Sequence, residues 1–226
     1  MAANMKEIKE RIDSVKNTSQ ITNAMNIVSS TKFKKFQVLT LKSRNYARAV
    51  NEAFDNLVAS LTGNKFVIFD GKTEVKRVGI IVMTSDRGLC GSFNSNTFRR
   101  LESMKKEFQK EGKDVSVITI GRKAKEYCKN RDINVDSEYT QMIPETMFET
   151  GKKISEDVVQ FYLNDFYDEV YMIYSKFVSA VEYNIQVEKL LPIEKKEGLP
   201  TKEYIFEPSE EEVLNSFVPQ VLNIKL

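Results

Sequence analysis

The sequence contains no histidine and no tryptophan, and only 2 cysteines, 5 prolines and 9 glycines in 226 residues. The missing histidine is the most restrictive absence, because it removes the usual general base near neutral pH and the commonest metal ligand. Serine triads, His-paired cysteine nucleophiles and His-based metal sites fall away with it. Cys90 and Cys128 stand far apart with no CxxC pair, which argues against a zinc site or a dithiol redox motif and favours free thiols in a reducing compartment. No apolar run approaches the ~20 residues needed to span a bilayer. The first residues also lack the apolar stretch of a signal peptide, so the expected setting is cytoplasmic, with membrane attachment only through partners. Charge of one sign is lacking too: 34 Lys and Arg stand against 32 Asp and Glu, a balance of +2. A generally polybasic nucleic-acid protein is excluded, and any useful charge is local.

The scarcity of helix breakers is itself patterned. From Lys6 to Leu61 there is neither glycine nor proline; the first glycine is Gly63 and the first proline Pro144. Nothing interrupts a helix over these residues, and at about 1.5 Å per residue it would reach roughly 84 Å. The rest of the chain, if compact, measures only about 40 Å across, so about half of the predicted helix must project. Its apolar residues show where it needs company. Met5, Ile8, Ile12 and Val15 step by three and four, and Phe36, Leu39, Tyr46, Val50, Phe54 and Leu57 resume a similar stripe, the spacing of a coiled-coil seam. Between them the lattice carries Ser19, Thr22, Asn26 and Ser29, which would specify a tight zipper poorly. No acidic residue occurs from Ser14 to Asn51, whereas Lys16, Lys32, Lys34, Lys35, Lys42, Arg44 and Arg48 lie within that window. A cationic rod of this kind is either a solvated face or a surface for an acidic protein, an anionic membrane or nucleic acid. Nucleic acid is disfavoured by the lack of aromatic interleaving and of any binding motif.

After Gly63 and the turn-like Asp70-Gly71-Lys72, short β-branched runs alternate with amphipathic segments. The pattern predicts strands over Lys76–Thr84, Val115–Ile120, Ile133–Val135 and Glu169–Tyr174, with helices over Asn96–Glu111, Arg122–Arg131 and Met147–Asp165. Such alternation means an α/β fold, a mostly parallel Rossmann-like sheet with helices on both faces. Glu182–Leu190 and Lys202–Phe206 read as further strands forming an antiparallel edge or hairpin. Pro208-Ser209-Glu210 opens a last amphipathic helix whose acidic first turn suits its dipole. The predicted organisation is a long coiled-coil-type helix over 1–62, an α/β domain over 63–208 and the start of a helical segment over 209–226.

The loop Thr84-Ser85-Asp86-Arg87-Gly88-Leu89-Cys90-Gly91-Ser92-Phe93-Asn94 follows the strongest strand, where doubly wound sheets bind ligands. It is neither GxGxxG nor a P-loop. Asp86, Arg87 and Cys90 form the one candidate site for a small-molecule enzyme, yet a cysteine nucleophile there has no histidine to serve as base. A glycine-permitted turn accounts for most of the pattern.

IKERIDSVKNTSQITNAMNIVSSTKFKK, the SDRGLCGSFN loop, and the later LLP and FEPSEEEVL segments together resemble the γ subunit of F-type ATP synthases, in order and spacing along essentially the whole chain. The resemblance implies a non-catalytic central-stalk rotor that needs no cofactor of its own. Its N-terminal helix would wind with a C-terminal helix inside a hexamer of α- and β-subunits. The α/β domain would sit at the base near the ε-subunit and the c-ring, peripheral to the cytoplasmic face of a bacterial membrane. Rotation of the c-ring would be coupled to ATP synthesis or hydrolysis, with catalysis on the β-subunits. Carried across by position, Met25 matches the methionine that lies near the acidic loop of the β-subunits, and Lys32, Lys34 and Lys35 follow it. Arg87, Gly88, Leu89 and Cys90 match residues facing a β-subunit, and Arg99 falls near a basic position that contacts the hexamer. Tyr204, Phe206 and Glu207 match the segment that sits on the polar loops of the c-ring. The family continues past the position of Leu226 into a second long helix, which these 226 residues do not include.

Overall fold

The structure is a computed structural model that describes residues 2–61, 66–143, 145–179, 181–196 and 204–226. The chain divides into two compact units, 1–50 and 51–226. Helix α1 (Ala2–Ala59) makes up the first and contributes its last turns to the second.

In the first unit every side chain from Asn4 to Tyr46 is exposed. That includes a long series of apolar residues, from Met5 at 70% and Val15 at 63% to Leu41 at 54% and Tyr46 at 57%. Hydroxyls on this stretch turn inward to the backbone. Thr18, Thr22 and Thr31 each donate to the carbonyl four residues earlier, at 2.9, 2.8 and 2.9 Å, so they extend the helix's own ladder rather than reaching outward.

The second unit is built on a sheet of β1 (Arg77–Met83), β2 (Asp114–Ile120), β3 (Val135–Tyr139), β4 (Glu169–Phe177) and β5 (Tyr183–Leu191), in the order β3-β2-β1-β4-β5. The first four strands are parallel, and β5 adds an antiparallel edge. The remaining elements are α2 (Val67–Asp70), α3 (Phe93–Lys110), α4 (Arg122–Lys129), α5 (Met147–Leu163) and α6 (Glu210–Lys225). Because alternate strand residues face opposite ways, Val78, Ile80 and Val82 bury against Leu101 and Met104 of α3 and Ala124 and Cys128 of α4. The other face carries Gly79, over which the Tyr167 ring lies. A Cβ at Gly79 would stand 2.9 Å from that ring, so glycine is what lets it cross the sheet.

Several boundaries differ from the pattern reading for identifiable reasons. Helix α3 starts three residues earlier than Asn96, because Gly91 takes φ 58° and sends the chain directly into a turn whose Ser92 carbonyl accepts from Asn96 N. Helix α5 stops at Leu163 and not Asp165, since Asp165 is left-handed at φ 58°. Strand β3 begins where the predicted Ile133–Val135 strand ends: Ile133 is buried in the α4 core, and the pairing falls on the polar VDSEY. The strand expected over Lys202–Phe206 is not formed at Tyr204, Ile205 and Phe206, and Lys202 lies outside the described residues. Ile205 is 92% exposed and Pro208 follows closely, so the run has neither a face to bury nor a ladder to continue.

Two fastenings hold the base of this unit. Asp168, only 3% exposed, accepts from Lys76 N at 2.9 Å, Arg77 N at 2.8 Å and Arg77 Nη2 at 3.2 Å, with Lys72 Nζ at 3.4 Å. It therefore ties the start of β4 to the start of β1. Helix α6 is capped by Ser209, whose Oγ accepts from Glu212 N at 3.2 Å, and Glu210, Glu211 and Glu212 fill its first turn. It packs along α5 at Gly151, where a Cβ would come within 2.4 Å of Asn223 Oδ1. Phe54, from the last turns of α1, is buried between Phe69 and Phe217, with ring centroids 6.1 and 5.7 Å away.

Candidate functional site

Strands β2 and β3 lie on one side of β1, and β4 and β5 on the other. The carboxyl end of β1 is therefore the switch point at which doubly wound sheets open a ligand crevice. The loop 84–92 leaves from this point, and its own polar atoms fill the crevice. Thr84 Oγ1 accepts from Ala124 N at 2.8 Å, Ser85 O from Lys123 N at 3.2 Å, and the Asp86 carboxylate from Arg122 N at 2.8 Å. The first three amides of α4, the donors that would greet a phosphate in such a fold, are thus taken by consecutive residues of one loop. The approach is close enough to require Gly121, at φ 98°, where a Cβ would fall 2.2 Å from the Thr84 carbonyl oxygen.

Asp86 also accepts from Gln141 N at 3.3 Å, while its carbonyl accepts from Arg122 Nε at 3.1 Å. These bonds give it a fastening role, not that of an acid or base. Asn94 closes the other side: its Oδ1 accepts from Ser85 N at 3.1 Å, and its Nδ2 donates to Ser85 Oγ at 2.9 Å and to Cys90 Sγ at 3.2 Å. The rival enzyme reading of Asp86, Arg87 and Cys90 loses its constellation here, since the Asp86 carboxylate is taken by Arg122 N and Gln141 N, the Cys90 thiol faces Asn94 and Ser85, and Arg87 is exposed. Among the described residues no group of His, Cys, Asp or Glu could hold a metal ion, and no helix is long and apolar enough to cross a membrane. Both cysteines are free, Cys90 exposed and Cys128 buried, where burial pushes the thiol up to about 11.

What the fastened loop presents is its tip. Arg87, Gly88, Leu89 and Cys90 are all exposed, and Leu89 is 93% exposed in a left-handed turn at φ 61°. Arg99 is exposed on α3, more than a turn into that helix and apart from the tip. Met25 is 47% exposed on α1, and Lys32, Lys34 and Lys35 are exposed beyond it. Tyr204 and Glu207 are exposed and Phe206 half-buried, in the segment leading into α6.

The strand directions fix which ends of the sheet these segments occupy. Strand β5 returns from Tyr183, opposite Phe177, to Leu191, opposite Val170 at the amino end of β4. Ser209, at the start of α6, lines one groove with Phe66, Val67, Ile68 and Leu163, on the side from which β4 begins. The loop 84–92 and the start of α6, to which residues 204–207 lead, therefore lie at opposite ends of the sheet. A feature that the sequence reading passed over is the β4–β5 turn. It exposes Phe177, Val178 and Val181 and shares the loop's end, and the only signal for it was an apolar run where turn residues were expected.

A long helix with an uncovered apolar surface, joined in sequence to an α/β unit whose crevice is stopped by its own loop, defines an interaction protein built on a nucleotide-type fold. Comparison with known proteins says which kind. The family model described as ATP synthase matches residues 4–226. The ATP synthase gamma chain of Fusobacterium nucleatum is 43% identical over 222 residues, covering 98% of this chain and 78% of that one. The gamma chain of Trichlorobacter lovleyi is 36% identical over 228 residues, covering 99% and 78%. In fold the chain is similar to the central stalk and c-ring structure of the Tetrahymena thermophila mitochondrial ATP synthase, with a TM-score of 0.65 and 22% identity over 91% of this chain and 88% of that one. The rotor of the Euglena gracilis enzyme gives 0.60 at 15% identity, covering 98% and 82%. The chain belongs to the ATP synthase γ-chain family, whose members are non-catalytic subunits of that complex.

Proposed function

We propose that this chain acts as the central-stalk rotor, coupling rotation of a c-ring to ATP synthesis or hydrolysis in a hexamer of α- and β-subunits. The observation that carries the reading is that the loop 84–92 leaves one end of the sheet while α6, entered through residues 204–207, starts at the other. Tyr204, Phe206 and Glu207 would rest on the c-ring at the end from which β4 begins, and Arg87, Gly88, Leu89 and Cys90 would meet a β-subunit at the other. Torque applied at one end would then pass through five hydrogen-bonded strands before reaching the other. The subunit's place would be the cytoplasmic face of a bacterial membrane, attached through the c-ring, with the ε-subunit against the α/β unit.

The exposed stretch of α1 supports the same reading. Met25 and the lysines at 32, 34 and 35 would pass the acidic loops of three β-subunits in turn, and such a surface must register without gripping. Exposed ion pairs are individually worth about 0–1 kcal/mol, which suits guidance of that kind. The reading is tested by mixing the chain with purified α- and β-subunits of the same source and following complex size and ATP hydrolysis. A complex with one copy per hexamer and hydrolysis absent from the chain alone is expected. Failure to join the hexamer, even when the chain carries the family's C-terminal helix, would overturn the reading.

A further inference from the structure

The β4–β5 turn projects from the same end of the sheet as the Leu89 tip. Strand β1 pairs with β4 as far as Val82 and Ile173, and β4 then runs on to Phe177. At about 3.3 Å per residue the hairpin stands roughly 13 Å beyond that last pair. Hydrogen bonds from Val178 N and Ser179 N to Glu182 O close it. Its apolar side chains are exposed, Phe177 at 37%, Val178 at 49% and Val181 at 94%. A hairpin end normally carries polar turn residues, and exposed apolar side chains gathered on one projection mark a contact surface.

Tyr183 connects this projection to the loop. It pairs with Phe177 across the hairpin, its hydroxyl lies 3.1 Å from Ser92 Oγ and accepts from Asn96 Nδ2 at 3.0 Å, and its ring meets that of Phe93 at 5.3 Å. Ser92 and Phe93 are the residues on which the 87–91 loop closes into α3. One side chain thus fastens the hairpin to the turn where the loop enters α3, and Leu89 and Val181 stand exposed at the same end of the sheet. The two tips carry Arg87 and Lys176 against the single acid Glu182. A mildly acidic, partly apolar partner fits that balance, whereas the segment assigned to the c-ring leads into α6, which starts at the opposite end.

From this geometry we infer that the hairpin tip, Phe177, Val178 and Val181, is a second prong of the surface that docks on the β-subunit, with Tyr183 as the residue that sets the spacing of the two prongs. The inference rests on the assignment of the Leu89 loop to the β-subunit. Two prongs on one rigid end would fix the angle of the domain against its partner, which a single exposed leucine cannot do.

The test is site-specific photo-crosslinking in the assembled ATP synthase, with benzoylphenylalanine placed singly at Leu89, Val181 and Ile205. Adducts to the β-subunit from both Leu89 and Val181, with none from Ile205, are expected. The substitution Tyr183→Ala should then lower the yield from Val181 while the complex stays assembled. A β-subunit adduct from Leu89, with Val181 joined to the ε-subunit, to a second copy or to nothing, would overturn the second prong and leave the rotor reading intact. Absence of β-subunit adducts from both positions would overturn the loop assignment together with the inference.

Discussion

Replacing Asp168 with asparagine removes one charge from a site that the fold has built around it, so the cost can be worked out in advance. Burial alone would raise this carboxyl's pKa. The amides of Lys76 and Arg77, together with the Arg77 guanidinium, outweigh burial and hold it at about 2. An unfolded aspartate titrates near ~3.9, so folding favours the ionised form by about 2.5 kcal/mol at neutral pH. Because the folded value is the lower one, this contribution is complete above about pH 4 and drains away as the pH falls toward 2. Asp168→Asn should therefore lower stability at pH 7 by roughly 2–3 kcal/mol, which for a chain of this size is a fall in Tm of about 5–10 °C. Urea unfolding followed by circular dichroism between pH 7 and pH 2.5 measures both chains side by side. The gap between them should narrow as the acid end is approached. An equal gap at pH 7 and pH 2.5, or no gap at all, would refute the reasoning, since either would mean that the charge itself contributes nothing.

Gly121→Ala places a Cβ 2.2 Å from the Thr84 carbonyl at φ 98°, and a loss of about 3 kcal/mol or more in urea unfolding is expected from backbone strain together with the clash; a wild-type midpoint would show that the loop is not held against α4. Cys90 should react with maleimide in the native protein while Cys128, buried and with its thiol pushed up to about 11, reacts only on unfolding; mass spectrometry before and after urea distinguishes the two. Lys34→Ala should leave assembly intact, since an exposed pair contributes less than about 1 kcal/mol. Met25→Lys should instead reduce the protons pumped per ATP hydrolysed in the whole enzyme, because a cation added there would hold an acidic β-subunit loop in one orientation; normal coupling in that variant would contradict the placement of Met25.

Much of the fold was legible in the sequence because single-residue chemistry wrote it. The absence of glycine and proline from Lys6 to Leu61 announced α1, and the β-branched runs RVGIIVM and VITI announced the two central strands, buried on both faces. Strand β3 was harder to see, because the half-buried edge sequence VDSEY has no apolar run and owes its place to pairing with β2. Tyr204-Ile205-Phe206 misled in the opposite direction: its residue types favour strands, and only the absence of a neighbour to bury against decides otherwise. The loop was recognisable from SDRGLCG, but the work of Asp86 was not. Its partners Arg122 and Gln141 lie 36 and 55 residues away and meet it only once β1, β2 and β3 are in register.

The stopped crevice at the end of β1 bears on how the folding equilibrium would respond to a ligand. A ligand that binds only the folded state stabilises it in proportion to RT ln(1 + [L]/Kd), so an open crevice would make the folding equilibrium track the supply of whatever filled it. Here the positions of the would-be ligand are taken by Thr84, Ser85 and Asp86, which are covalently part of the chain and always present at the same effective concentration. The amides at this end of the sheet are therefore satisfied from within the fold, and its stability does not depend on a ligand at them.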